Sequence, residues 1–219
     1  YKEARARNIK PLIGCEVYIA PHSMTEKQTN SNSNYAHLVL LAENKKGYLN
    51  LVKLVSMGFI DGFYYKPRID YKVLAQYGEG LIGLSACLAG DIPRLLLSGQ
   101  YKKATDLALR LEKILGKNNF FLELQDHGLE EQVKLNQLII NLSRDTDIPL
   151  VATNDVHYVR QEDAKAHDIL ICIQTGKTIE DEDRMRFNSD EFYLKSPHEM
   201  RDLFPSVPEA LENTVKIAK

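Results

Sequence analysis

The chain has 219 residues, 44% of them hydrophobic and 26% charged, with a net charge of −2. It is long enough for one sizeable core, and its charge excludes a bulk electrostatic grip on nucleic acid, though not a local basic patch. No apolar run approaches the roughly 20 residues that span a bilayer, and three widely spaced cysteines, Cys15, Cys87 and Cys172, point to reduced thiols and a cytoplasmic setting rather than a disulfide framework.

Taken in chain order, the opening residues Tyr1 to Arg7 read as part of a helix, not a secretory signal. With no initiator Met, the chain reads as a piece of a longer protein. PLIGCEVYIA (11–20) is strand-like, rich in Ile, Val and Tyr. The polar stretch 21–34 reads as a mobile loop. HLVLLA (37–42) predicts a second strand and 47–58 a helix with Leu51, Leu54 and Val55 on one face. GLIGL (80–84) predicts a third strand, followed by helices over 91–97 and 101–115. FFLEL (120–124) predicts a fourth strand, 130–144 a helix and 150–153 a fifth strand. A helix over 162–174, a short strand at 192–194 and helices over 197–204 and 208–218 complete the chain. Strands alternating with helices predict an α/β protein with a largely parallel sheet. Neither a dinucleotide glycine fingerprint nor a phosphate-cradling loop is present.

Several chemically capable side chains fall at or near strand ends, where α/β barrels gather their sites. Asp155 and His157 follow PLVAT; two residues apart in extended backbone they share a side, so one metal ion could meet both. Asn154-Asp155 also reads as an ordinary turn opener. Cys87 follows GLIGL as a thiolate ligand or a small buried hydrophobe. Glu16 sits inside an apolar strand, where a carboxylate is costly unless paired or bound to a cation, or else faces water. His37 opens HLVLLA, and His127 follows FFLEL; both also read as ordinary hydrogen-bonding histidines. Lys66 and Arg68 in YYKPR, with Arg184, Arg186 and Lys195 later, form a basic group able to hold phosphate or to make surface ion pairs.

In order along the chain, KPLIGCEVYIAP, HLVLLAENKKGYLNLVKL, YYKPRID, GLIGLSACLAGDIPRLLL, FFLELQDHG, PLVATNDVHYV and DEFYLKSPHEM resemble the PHP (polymerase and histidinol phosphatase) domain of the C-family polymerases, the bacterial DNA polymerase III α subunits. The resemblance implies a distorted (β/α)7, TIM-like barrel with a metal cluster at the C-terminal strand ends. It carries over Glu16, His37, Cys87, Asp155 and His157 as metal ligands, with Asp155 and His157 as the catalytic pair and His127 as a neighbour of the ligands; Lys66 and Arg68, from the basic group, are the expected phosphate contacts. The implied cofactors are divalent ions, zinc or manganese. The family's opening His-x-His strand, the acidic residue after it and its Thr-Asp-His-Gly motif are absent, so the N-terminal barrel strands are expected to be missing and sheet edges exposed. Residues 1–219 are then a single PHP-domain fragment, with about 205–219 leading towards the polymerase palm. For the whole protein the resemblance implies DNA synthesis, with DNA and other polymerase III holoenzyme subunits as partners and no membrane. For the domain it implies metal-dependent phosphoester hydrolysis, such as 3′→5′ exonucleolytic proofreading, or pyrophosphate hydrolysis. The alternatives are a metal-free module that supports the polymerase and a freestanding small-molecule phosphatase.

Overall fold

A computed structural model describes residues 1–27 and 35–219. The end of the loop expected over 21–34 lies outside the described residues. Six strands form one sheet: β1 (Gly14–Ile19), β2 (Ala36–Ala42), β3 (Arg68–Ile69), β4 (Leu81–Leu84), β5 (Phe120–Leu124) and β6 (Leu150–Ala152), in the order β3-β1-β2-β4-β5-β6. The pairings β1–β3, β4–β5 and β5–β6 are parallel, whereas β2 runs against both β1 and β4. The expected parallel sheet is thus interrupted by one reversed strand. The reason is visible in the connection: a parallel neighbour needs a crossover, usually a helix, and the polar stretch before β2 carries no helical pattern. The sheet does not close into a barrel among the described residues, since β3 and β6 remain at its edges.

Alternation sorts the strand side chains onto two faces. Val17, Ile19, Leu38, Leu40, Leu122 and Leu124 belong to the main core, beneath α2 (Lys45–Ile60), α3 (Tyr71–Tyr77), α4 (Asp91–Leu97), α5 (Tyr101–Leu115) and α6 (Glu130–Thr146). On the other face Val39, Leu41, Ile82, Leu84, Phe121 and Val151 make a smaller apolar cluster, joined by Ile217 of α9 (Pro208–Ala218). This inner face changes character along its length. Towards the C-terminal ends of the parallel strands it carries Glu16, Tyr18, His37 and Glu123 instead.

Caps explain where helices begin. α2 starts earlier than its apolar spacing predicts because the Asn44 side chain accepts from the Gly47 N–H at 3.0 Å. α3, not anticipated from its two core residues, starts at Asp70, whose carboxylate accepts from the Lys72 and Val73 N–H groups. The helix expected over 162–174 is α7 (Ala164–Thr175), entered through a single 3₁₀ turn. The strand expected at 192–194 reduces to one parallel bridge, Tyr158 with Tyr193. α9 packs on β6, where the buried Asn213 side chain donates to the Leu150 carbonyl at 2.7 Å, and Lys10 donates to the carbonyls of Ala218 and Lys219 at its end. Among the described residues no helix is long and apolar enough to cross a membrane.

The first turn of α2 lies directly on the turn before β4. A Cβ built on Gly47 would stand 1.7 Å from the Gly80 carbonyl oxygen, and Gly80 itself has φ of +77°. In an exposed helix Gly→Ala gains up to ~1 kcal/mol. Here the clash is with backbone that accepts from the Glu43 N–H and cannot step aside. Gly47→Ala is therefore expected to destabilise the fold by about 1–3 kcal/mol in denaturant unfolding; a stabilised variant would contradict the close approach.

Candidate functional site

The reversal of β2 brings its first residues to the edge where β1, β4, β5 and β6 end. Tyr18 faces His37 across the β1–β2 pair, so Glu16, two residues back, shares their face. The Glu16 carboxylate lies 3.0 Å from His37 Nδ1 and Cys87 Sγ lies 3.8 Å from the same nitrogen. Tyr35 stacks parallel to the His37 ring at 6.0 Å, and Tyr18 meets it edge-on at 5.3 Å. Hydrogen bonding to Cys87 and to Glu16, against partial burial, pushes the imidazole up to about 9. The same bond to His37 holds the Glu16 carboxyl below its usual range, with the charge of His157 adding to it.

The second group follows β6. Asn154 is buried and its amide donates to the carbonyls of Glu191 and Tyr193, at 3.0 and 2.6 Å. Asp155 then turns the chain through φ of +42°, a left-handed conformation that Asp tolerates better than most residues. His157 Nδ1 is 2.6 Å from the backbone carbonyl of Asp155 and 4.0 Å from its carboxylate. The ring is held edge-on by Phe187 and Phe192, with His167 at 5.4 Å.

The three histidines differ in what their nitrogens are doing. In His37 and His157, Nδ1–H donates to an oxygen and Nε2 has no hydrogen-bond partner among the described residues; with the His37 imidazole raised to about 9, its Nε2 holds a proton near pH 7 that a bound cation would displace. His127 is otherwise: its Nδ1 accepts from Gln132 at 2.8 Å and its Nε2–H donates to the Asn154 carbonyl at 3.0 Å. Buried against Phe192, His127 has its pKa lowered by desolvation. Through the Asn154 carbonyl it braces the segment that carries Asp155, and it has no nitrogen left for an ion.

The basic group is mostly spent. Arg68, expected to contact phosphate, is 5% exposed and donates to the carbonyls of Gly62, Met24 and Glu26; this is a structural arginine that closes the loop after β1. Arg184 is paired with both oxygens of Asp168, and Lys195 with Glu191. Lys66 is exposed, with Nζ 5.8 Å above the Tyr18 ring and so beside His37. Arg186 lines a hollow of about 440 Å³ together with His167 and Phe187, next to His157.

Among the described residues, no three His, Cys, Asp or Glu side chains converge on a ready-made metal position. The structure gives two half-sites, Glu16–His37–Cys87 and Asp155–His157, close enough for Glu16 to feel the charge of His157. Sequence reasoning missed the aromatic wall of Tyr18 and Tyr35 and the buried Glu123, although Tyr18 shares the strand parity of Glu16 and Glu123 interrupts an apolar run. A larger cavity, about 1010 Å³, opens at the opposite end of the sheet between Leu12, Ile82, Phe121 and Ile217, and none of the candidate residues lines it.

The His37 pair makes stability depend on pH. Its unfolded value is about 6.5 and its folded value about 9, so the contribution is complete below pH 6.5 and is lost as pH rises through about 9. Urea unfolding of the metal-free chain from pH 6 to 10 is expected to show this decline, and Glu16→Gln to flatten it. Equal slopes for the two proteins would remove the pair from the account.

Comparison with known proteins covers both half-sites. Residues 1–127 match the PHP domain family, a span that contains Glu16, His37, Cys87 and His127 but not Asp155 or His157. Over its full length the chain is 49% identical to the DNA polymerase III subunit alpha of Treponema pallidum and 49% to that of Borreliella burgdorferi, covering 19% of each, and 43% identical to that of Thermus aquaticus, covering 18%. The chain thus spans about a fifth of the length of these relatives. With a family match over more than half its length, the chain belongs to the PHP domain family.

Proposed function

We propose that the chain is the PHP module of a DNA polymerase III α subunit. It works in the cytoplasm within an assembly whose partners are DNA and the other polymerase subunits. Its two half-sites form one divalent-cation site, for zinc or manganese, that hydrolyses phosphoesters, and trimming of DNA 3′ ends is the reaction that fits a polymerase. The observation that carries this reading is the pair of imidazoles, His37 and His157, each with Nδ1 tied to an oxygen and Nε2 left unpartnered at the same sheet edge. Cys87 and Asp155 supply the remaining donors, and a thiolate among N and O donors favours zinc over manganese or magnesium.

The chain's own residues divide the work. Glu16 orients His37, and the Asp155 carbonyl orients His157. Lys66, over Tyr18, meets a phosphate oxygen; Arg68, committed to backbone carbonyls, does not. Tyr18 and Tyr35 wall the His37 side. A bound cation would lower the pKa of a water and offset charge on the phosphoryl oxygens.

A second reading has its own observation. Glu16 and His37 already satisfy each other, and among the described residues no three donors converge, as suits a metal-free module that supports the polymerase. Whole-chain likeness to polymerase subunits weighs against a freestanding phosphatase.

Metal content and nuclease activity on single-stranded DNA separate the two readings. The purified chain is expected to take up zinc or manganese. Asp155→Ala and His157→Ala are expected to abolish hydrolysis, and Glu16→Gln to weaken metal binding by ~10–100-fold, as loss of an orienting partner does elsewhere. Wild-type protein that binds no metal and cleaves nothing, while folding normally, would establish the supporting-module reading.

A further inference from the structure

Between the two half-sites lies a carboxylate that neither uses. Glu123, on the inner face of β5, is 5% exposed. Its Oε2 accepts from the Ala86 N–H at 2.9 Å; its Oε1 accepts from the Gln125 amide at 3.0 Å and from the Thr153 hydroxyl at 2.5 Å. All three partners are donors, which is the environment of an ionised carboxylate. Burial acts against that, pushing its carboxyl up. The Glu123 backbone N–H adds a fourth link, donating to Ser85 Oγ at 2.8 Å.

The elements it joins are the ones that carry the candidate ligands. Ala86 precedes Cys87 and has φ of +65°, a conformation that is strained for a residue with a Cβ. The same turn returns to β2, where the Ala89 carbonyl accepts from the His37 N–H at 3.1 Å. Thr153 is two residues before Asp155, itself at φ of +42°. One buried side chain is therefore bonded to both strained turns.

We infer that Glu123 is the positioning residue that holds the Cys87 turn and the Asp155 turn in register, an inference that rests on the metal-site reading. It touches no substrate and acts only through Ala86 and Thr153. A glutamine cannot replace it. With its oxygen at the doubly bonded Oε1 position, its NH₂ faces the Ala86 N–H; flipped, the NH₂ faces two donors. Glu123→Gln thus releases the Ala86 turn while keeping side-chain volume. Ala86→Gly removes the strain that the bond holds down, so it should restore the turn in the double variant.

The test uses the intact chain and two readouts. Amide exchange of Ala86 is expected to accelerate in Glu123→Gln while the β5 amides stay protected. Cobalt(II) titration, followed through thiolate-to-metal absorption from Cys87, is expected to show ~10–100-fold weaker binding in Glu123→Gln, partly recovered in Glu123→Gln/Ala86→Gly. Tyr101→Phe, which cuts the Tyr101–Asp145 bond between α5 and α6, serves as the control for general destabilisation and should leave both readouts in place. Unchanged Ala86 exchange in Glu123→Gln, or unchanged cobalt affinity where wild type binds, overturns the inference. Faster Ala86 exchange in a wild type that binds no cobalt overturns the metal-site reading, and with it the positioning role, leaving Glu123 as a structural clamp.

Discussion

The antiparallel pairing of β1 with β2 is the constraint on which the rest of the site depends. Five strands run one way and β2 the other, so the start of β2 meets the ends of its neighbours. A parallel β2 would carry His37 to the far end of the sheet, beside the large cavity and away from Cys87 and Asp155. Register matters as much as direction. With Tyr18 opposite His37, Glu16 falls on the same face; a slip by one residue would send the imidazole into the leucine core under the helices. The same strand then buries Val39 and Leu41 further along. The apolar inner cluster fixes the register, and the register fixes the chemistry.

Given that placement, the histidines are told apart by hydrogen bonding alone. His37 and His157 each have one engaged and one unengaged nitrogen, whereas His127 has both engaged and lies under Phe192. Depth follows the same division. His127 is 1% exposed, while the side chains of His37 and His157 are 22% and 34% exposed. A histidine meant to bind from solution has to keep one nitrogen unengaged and an open path to it; one meant to brace a turn needs neither.

Much of this was legible because it depends on short-range rules. The strand at 120–124, the strongly amphipathic helix over 101–115 and the placing of Asp155 and His157 just past a strand follow from periodicity and turn chemistry. The direction of β2 did not follow, because strand polarity is set by the connection and by distant partners rather than by the strand's own residues. Arg68 misled for a similar reason. Beside two tyrosines and a lysine it looks like surface, yet its donors are taken up by carbonyls at 24, 26 and 62. Glu123 was available to the argument that singled out Glu16, a carboxylate inside an apolar strand. What sequence could not say is that its partners would be Ala86 and Thr153, 37 and 30 residues away.

Charge accounting leads to the last step. A phosphodiester brought to this edge needs positive charge, and among the described residues the edge has little to spare. Arg68 is committed to backbone, Arg184 to Asp168 and Lys195 to Glu191. Lys66 and Arg186 remain at the rim, and a single exposed lysine or arginine gains only modest Coulomb energy through water. Glu16, Glu123 and Asp155 meanwhile place carboxylates on or beside the inner face. A phosphate and three carboxylates within one small region repel one another unless a multiply charged cation lies among them. The acidic character of the edge, a poor match to bare nucleic acid, is what a cation-dependent phosphoesterase requires, whereas in the supporting-module reading Glu16 and Glu123 need only the internal donors they already have.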